Sequence, residues 1–422
     1  MTTALNWPGK DAAFALGRRL VSVDPHGPLP HLGAGDDAAP YSPDPHENLL
    51  LIGDNLPALT ALLRTHRGQV KVVYIDPPYN TGNAHDYKDH GHDHASWLSF
   101  MAPRLLLARE LMRPDGVLFL HLDDGESVWA QLLGHEIFGE DNSLGTFIHQ
   151  RAKGGGNARS FVRGHDYVHV WGRDAAQVGP FLTEKKSPAK LEVIDGRAML
   201  VETDVLRAGF GRYARGSERR LMYEDILAVK GEKKLAEVDA KLATGEYILR
   251  PWAEGKHAVV RVTPAEKASS KMYSIIKALG GQNDLEALGL GGIFSYPKPV
   301  ELVKALVASQ TFFDPEAIVL DFFAGSGTTA QAVMEANARD AGARSFVLVQ
   351  TPEELRSKNA RAAVSGGGKG GAGPDAGGGA DAGGDAGGEA FPTISELTAE
   401  RIRRAAKEHA PDLRFTELSV VD

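Results

Sequence analysis

The chain has 422 residues, 42% hydrophobic and 24% charged, with a formal net charge of −8. Its length leads to an expectation of about two to three domains, and its ordinary composition argues against a disordered or fibrous chain. With no cysteine, disulfides, thiolate zinc sites, cysteine nucleophiles and iron–sulfur clusters are excluded. No run approaches the ~20 apolar residues of a membrane span, and the N-terminus lacks a signal-peptide pattern, so a cytoplasmic protein without membrane association is expected.

Residues 1–47, rich in Pro, Gly, His and Asp, read as an N-terminal arm with a helix around Asp11–Leu20. From Asn48 the pattern becomes regular. NLLLIG (48–53) and VKVVYI (70–75) are short apolar runs typical of buried strands, with a helix over Leu56–Arg64 between them. Ser96–Met112 repeats apolar residues at helical spacing, GVLFLHL (116–122) is a third strand, and Ser127–Phe138 is a further helix. Continuously apolar strands alternating with helices predict an α/β fold, a doubly wound, mostly parallel sheet covered on both faces.

The pattern loosens over 149–295, where YVHVW (167–171) still reads as a strand and the rest as an inserted α+β module. Between Arg151 and Lys271 there are 23 Lys+Arg and 16 Asp+Glu, a net of +7 that leaves −15 for the remainder. A locally basic segment keeps a polyanion partner open despite the acidic whole. The α/β pattern returns with a helix over Pro299–Ser309, a strand from Ala317 into Asp321, a helix over Thr328–Ala338 and a strand over Ser345–Gln350. Thirteen of the 48 glycines fall in 366–388, which reads as a flexible linker, and Ile394–Ala406 as a helix in the tail. The expected divisions are therefore 1–47, 48–148, 149–295, 296–364, 365–390 and 391–422.

Two motifs end predicted strands, the edge at which open α/β sheets bind ligands. In Asp76-Pro77-Pro78-Tyr79-Asn80, two prolines stiffen the corner and remove two backbone donors. A carboxylate, carbonyl acceptors and an aromatic ring remain. That set suits an amino group on a flat ring: Asp76 and the Pro77 carbonyl accept its two protons while Tyr79 stacks. An ordinary proline-rich turn explains the coincidence less well. In Asp321-Phe322-Phe323-Ala324-Gly325-Ser326-Gly327-Thr328-Thr329, a glycine turn leads into a helix start, which favours a carboxylate or phosphate. It is neither a P-loop nor a full dinucleotide fingerprint, and a tight strand–helix corner would look similar. His90, His92 and His94 with Asp89 and Asp93 resemble a metal set but read as a polar loop, and no metal is assigned.

Together, Asp76-Pro77-Pro78-Tyr79-Asn80-Thr81-Gly82 and the downstream Asp321–Thr329 stretch resemble an amino-group DNA methyltransferase of the permuted beta class. Gly53-Asp54-Asn55-Leu56, Pro114-Asp115-Gly116-Val117, His165-Asp166-Tyr167 and Tyr296-Pro297-Lys298-Pro299-Val300 fit as well. The tail from Ile394 to Arg404 is similar to modification subunits of type III restriction systems. The resemblance implies a methyltransferase sheet, S-adenosyl-L-methionine as cofactor and double-stranded DNA as partner, with 149–295 as the target-recognition region. A restriction subunit and a second copy of the chain stay open as partners. It implies catalytic roles for Asp76, Pro77, Pro78 and Tyr79, and a cofactor site of Asp321, Phe323, Gly325, Ser326, Gly327 and Thr328. Lys298, beside Pro299, would pair with the cofactor carboxylate, Asp54 would accept from its adenine or cap a helix, and Glu353 would hold its ribose. Transfer to the N6 amine of a flipped-out adenine is expected, because Asp opens the motif. Cytosine N4 is the alternative, as are methylation of RNA or protein and a non-catalytic DNA-recognition subunit.

Overall fold

The computed structural model describes residues 5–22, 30–34, 39–81, 93–151, 161–184, 190–194, 196–203, 205–207, 220–252, 255–264, 268–355 and 391–421. The chain divides into two compact units, Met1–Phe181 with Met272–Asp422, and Leu182–Lys271.

In chain order the first unit contains α1 (Lys10–Val21), β1 (His31–Ala34), β2 (Ala39–Tyr41), β3 (Leu49–Ile52), α2 (Asn55–Leu62), β4 (Val70–Ile75), α3 (His94–Leu111), β5 (Met112–Leu122), α4 (Ser127–Phe138), β6 (Ser143–Gln150) and β7 (His165–Gly172). The second unit holds β8 (Leu182–Glu184), β9 (Lys190–Ile194), β10 (Arg197–Glu202), α5 (Ile226–Lys230), α6 (Glu232–Ala243), β11 (Tyr247–Pro251), β12 (His257–Pro264) and β13 (Ser269–Lys271). The first unit resumes with β14 (Ile275–Lys277), α7 (Gly281–Ala287), α8 (Val300–Thr311), β15 (Ile318–Asp321), α9 (Thr328–Asp340), β16 (Ser345–Gln350), α10 (Ile394–His409) and β17 (Thr416–Val421).

Eleven strands form one sheet in the order β14-β6-β7-β5-β4-β15-β16-β3-β17-β1-β2. The run β5-β4-β15-β16-β3-β17 is parallel throughout, and β7 and β1 attach to it antiparallel. Both faces are covered, which is why the strands are continuously apolar. Leu49, Leu51, Val73, Ile75, Leu118, Leu120 and Leu320 point to one face and pack with apolar residues of α2, α3 and α4. Their neighbours Leu50, Val72, Tyr74, Val117, Phe119 and Val319 point to the other, against α7, α8, α9 and α10.

The separate unit is narrower than 149–295. The sheet claims β6, β7 and β14, because Phe147, Val168 and Val170 supply buried side chains to its core. Within the second unit, a four-stranded sheet ordered β11-β12-β10-β9 has its own small apolar clusters, one of them centred on Ile226, Val238 and Tyr247. Several of its basic side chains are paired internally: Arg250 with Glu192 at 2.5 Å, Lys256 with Asp225 at 2.9 Å and Arg261 with Glu202 at 3.5 Å.

The tail is part of the first unit. β17 lies parallel to β3, and α10 buries Ile394, Leu397 and Ile402 against the second face of the sheet. The glycine-rich segment, Asp89, His90 and His92 lie outside the described residues. Asp93 caps α3 by accepting from Ser96 N–H, and His94 faces Glu126 at 2.9 Å. No helix among the described residues is long and apolar enough to cross a membrane.

Candidate active site

β4 and β15 are hydrogen-bonded parallel neighbours, so Asp76 and Asp321 end adjacent strands on the same edge of the sheet. Both line one cavity of about 610 Å³. Its wall also carries Asp54, Pro78, Tyr79, Lys298, Pro299, Phe323, Gly325, Ser326, Thr328 and Glu353, twelve of the fourteen residues expected at the site. The other two are buried behind it. Pro77 is turned into the protein, and Gly327 faces α10, where a Cβ would come within 3.1 Å of Thr398 Cγ2. Gly327 therefore serves the helix start, with φ at 84°, rather than the wall.

The first motif is held from several sides. Trp97 Nε1 donates to the Pro78 carbonyl at 2.9 Å, and Asn80, in the left-handed region at φ 60°, donates through Nδ2 to Glu126 at 2.6 Å. Lys298 Nζ donates to Asp76 Oδ2 at 2.5 Å and lies 4.7 Å from the centre of the Tyr79 ring. One ammonium thus rests on the carboxylate and the ring expected to receive the substrate amine. Among the described residues, Asp76 Oδ1 and the Tyr79 hydroxyl are buried without a partner at hydrogen-bond geometry. Burial, reinforced by the charges of Asp76 and Asp166, holds the Tyr79 phenol well above its ordinary pKa, so it stays neutral.

The second motif is tied to its surroundings through Asp321. Its Oδ2 accepts from Thr329 Oγ1 at 2.5 Å and its Oδ1 from Phe323 N–H at 3.0 Å. Burial nevertheless pushes its pKa up to about 7, with the Asp76 charge acting in the same direction. Gly325, at φ 52°, donates its N–H to Gln350 Oε1 at 2.8 Å, so the end of β16 sets the turn. Glu353 follows on this strand's exit, and Thr351 Oγ1 donates to its carboxylate at 3.4 Å.

Asp54 caps α2, accepting from Leu56 N–H at 2.7 Å, and pairs with Arg104 at 3.1 Å while remaining half exposed to the cavity. Arg104 was not singled out in the sequence. It is buried on α3, donates to Asn55 Oδ1 at 2.5 Å and stacks 3.6 Å from the Phe100 ring centre. Arg401 was missed as well. It is fully buried on α10 and donates to Ser326 and Thr328 hydroxyls, both at 2.8 Å, and to Gln331 at 3.0 Å. Burial lowers its pKa to about 10, so it remains cationic behind the start of α9. Thr398, also on α10, donates to the Gly325 carbonyl at 2.6 Å.

The cavity floor brings together His149 and Asp166, and His121 lies beside them. Burial lowers the His149 pKa to about 4, so its imidazole is neutral. For Asp166, burial acts upwards, but His121, Arg151 and Lys298 outweigh it and hold the carboxyl below its ordinary value.

The N6_N4_Mtase family model, described as DNA methylase, matches residues 70–355, about two thirds of the chain. The chain belongs to the N6/N4 DNA methylase family. Two relatives frame this member by length. It is 28% identical over 431 residues to the EcoPI Mod subunit, a type III restriction-modification enzyme of Escherichia phage P1, covering 85% of this chain and 65% of that protein. It is 26% identical over 423 residues to the type II methyltransferase M.KpnI of Klebsiella pneumoniae, covering 92% of this chain and 94% of that protein. Among solved structures, the cytosine-N4-specific PvuII DNA methyltransferase aligns over 75% of this chain and 87% of that one, at 10% identity and a TM-score of 0.39.

Proposed function

We propose that this family member methylates the N6 amine of adenine in double-stranded DNA, using S-adenosyl-L-methionine. The observation that carries the reading is the shared cavity at the ends of β4 and β15, with the Asp76 corner on one side and the Asp321 turn on the other.

The wall suits the cofactor's mixed chemistry. Phe100 and Phe323 offer apolar faces 6.1 Å apart, Asp54 and Glu353 offer acceptors for ring-amine and ribose protons, and the N-terminal end of α9 with Lys298 offers positive potential for a carboxylate. When bound, the cofactor supplies an electrophilic methyl group on a sulfonium. Asp76 accepts an N–H of the target amine and afterwards its proton. Tyr79, held neutral by burial, offers a face for the base once Lys298 moves aside. Holding the amine in line accounts for most of the acceleration, as an orientation effect. The target atom is inaccessible within a stacked duplex, so the base is flipped out at a cost of about a few kcal/mol.

The Leu182–Lys271 unit is our assignment for DNA recognition. Its sequence carries 18 Lys+Arg against 14 Asp+Glu, and phosphate contacts from such residues would position the duplex. A restriction subunit as a further partner follows from the Mod relatives alone.

Mass spectrometry of nucleosides tests the reading. DNA treated with the protein and cofactor should contain N6-methyladenine, and Asp76→Ala should remove it. N4-methylcytosine instead would transfer the assignment to cytosine. Equal product from both proteins would end the role of Asp76.

A further inference from the structure

The structure assigns a divalent transition-metal site of the zinc class to His121, His149 and Asp166, beneath the cavity. The three side chains come from the ends of three adjacent strands, β5, β6 and β7, and all are buried. His121 Nε2 lies 3.3 Å from His149 Nδ1 and 3.6 Å from Asp166 Oδ2, and His149 Nδ1 lies 3.9 Å from that oxygen. A point in the plane of a triangle with these sides is about 2.1 Å from every corner, which matches zinc–imidazole and zinc–carboxylate bond lengths.

The outer contacts orient the rings as metal ligands are usually oriented. His149 Nε2 faces the Ala278 carbonyl at 3.0 Å and must donate to it, which leaves the Nδ1 lone pair directed at the cluster. His121 Nδ1 meets the Tyr74 hydroxyl at 2.9 Å, which can accept its proton and leave Nε2 bare. The two ring nitrogens stand 3.3 Å apart, and in the His121 tautomer that donates Nδ1–H to Tyr74 both lone pairs face one point that a metal ion can occupy. Asp166 adds the carboxylate that completes two histidines and an acid, a set with coordination positions to spare. Arg151 Nε, 3.2 Å from Asp166 Oδ1, and Lys298 oppose a dication here, while Asp123 favours it.

Methyl transfer asks nothing of this ion, and the assignment does not depend on the proposed function. Bound there, it would staple three strand ends beneath Tyr79, whose ring centre is 6.5 Å from that of His121.

The test uses metal-free full-length protein without DNA or cofactor, titrated with Zn²⁺ by calorimetry and with Co²⁺ by visible absorption. One equivalent should bind, with the absorption of a low-coordinate nitrogen and oxygen site. His149→Gln and Asp166→Asn should each weaken binding by more than the roughly 10–100-fold typical of losing an outer partner of a ligand, with circular dichroism of the metal-free state confirming that at least one of them is folded. A triple variant H90N/H92N/H94N should keep the site. No bound equivalent, or a folded ligand variant that binds as the parent does, or loss of binding in the triple variant, would overturn the assignment and leave a hydrogen bond from His121 Nε2–H to His149 Nδ1 in its place.

Discussion

Asp321 carries an energetic penalty that its neighbours only partly relieve. A carboxyl that ionises near its ordinary value of 3.8 in the unfolded chain and at about 7 when folded binds more protons in the folded state across that window. The contribution of Asp321 to stability therefore falls as pH rises from about 4 to 7 and is flat above it. Asp321→Asn removes the titration. In denaturant midpoints converted to free energy, the variant should gain on the parent with rising pH, by an upper bound on the order of 4 kcal/mol over the whole window. A difference that stays constant between pH 4.5 and 8 would contradict this account. The same residue scale limits what a sequence can reveal. Asp76, Tyr79 and Asp321 were legible because they stand in a dense motif at a strand end. Arg104, Arg401 and Gln350 were not, because a single polar residue acquires meaning only from burial and partners brought from elsewhere in the chain. Lys298 was found, yet its contact with Asp76 was not foreseen, since it depends on the side-chain position inside the cavity.

At the scale of elements, the strands with two covered faces were visible as apolar runs, and their helices followed by periodicity. β6 was missed because its buried positions are interrupted (Phe147 and His149 alone are buried), β14 because three residues carry no pattern, and β17 because its parallel pairing with β3 joins residues far apart in sequence. The short helix α7 was missed too, and it bears on the site. A Cβ on Gly281 would lie 1.9 Å from the Pro297 carbonyl oxygen, a backbone atom with little room to retreat. Pro297, Lys298 and Pro299 all line the cavity, so α7 sets their position by close approach. Gly281→Ala should cost about 1–3 kcal/mol of stability as an overpacked contact, and methyl transfer should fall beyond what the remaining folded fraction explains. Denaturation with turnover measured on the same samples checks this. A variant with the parent's stability and turnover would show that the segment is positioned by something else.

For the whole molecule, the cavity is assembled from chain segments that the sequence separates widely, and the last of them arrives after the glycine-rich stretch. The two ends of 356–390 meet. Leu355 N–H donates to the Pro392 carbonyl at 3.1 Å, Ile394 N–H donates to the Glu353 carbonyl at 2.8 Å, and Glu354 bridges Thr393. The fold therefore needs no length between them, only continuity, because α10 and β17 must remain attached. Replacing the 35 residues 356–390 with a Gly/Ser turn of about four should leave methylation unchanged and raise stability by about 2 kcal/mol, since loop closure costs roughly 0.6 kcal/mol per doubling of length and the change is about three halvings. Ending the chain at Leu355 should have the opposite result. It removes Ile394, Leu397, Ile402, Ala405 and Leu418 from the core, uncovers the edge of β3, and takes Arg401 and Thr398 away from the cofactor turn. Purified side by side, the loop-shortened protein should melt cooperatively and methylate DNA, while the truncated one should be insoluble or lack a cooperative transition. A truncated chain that folds and binds S-adenosylhomocysteine as the parent does would mean that the tail only decorates the sheet.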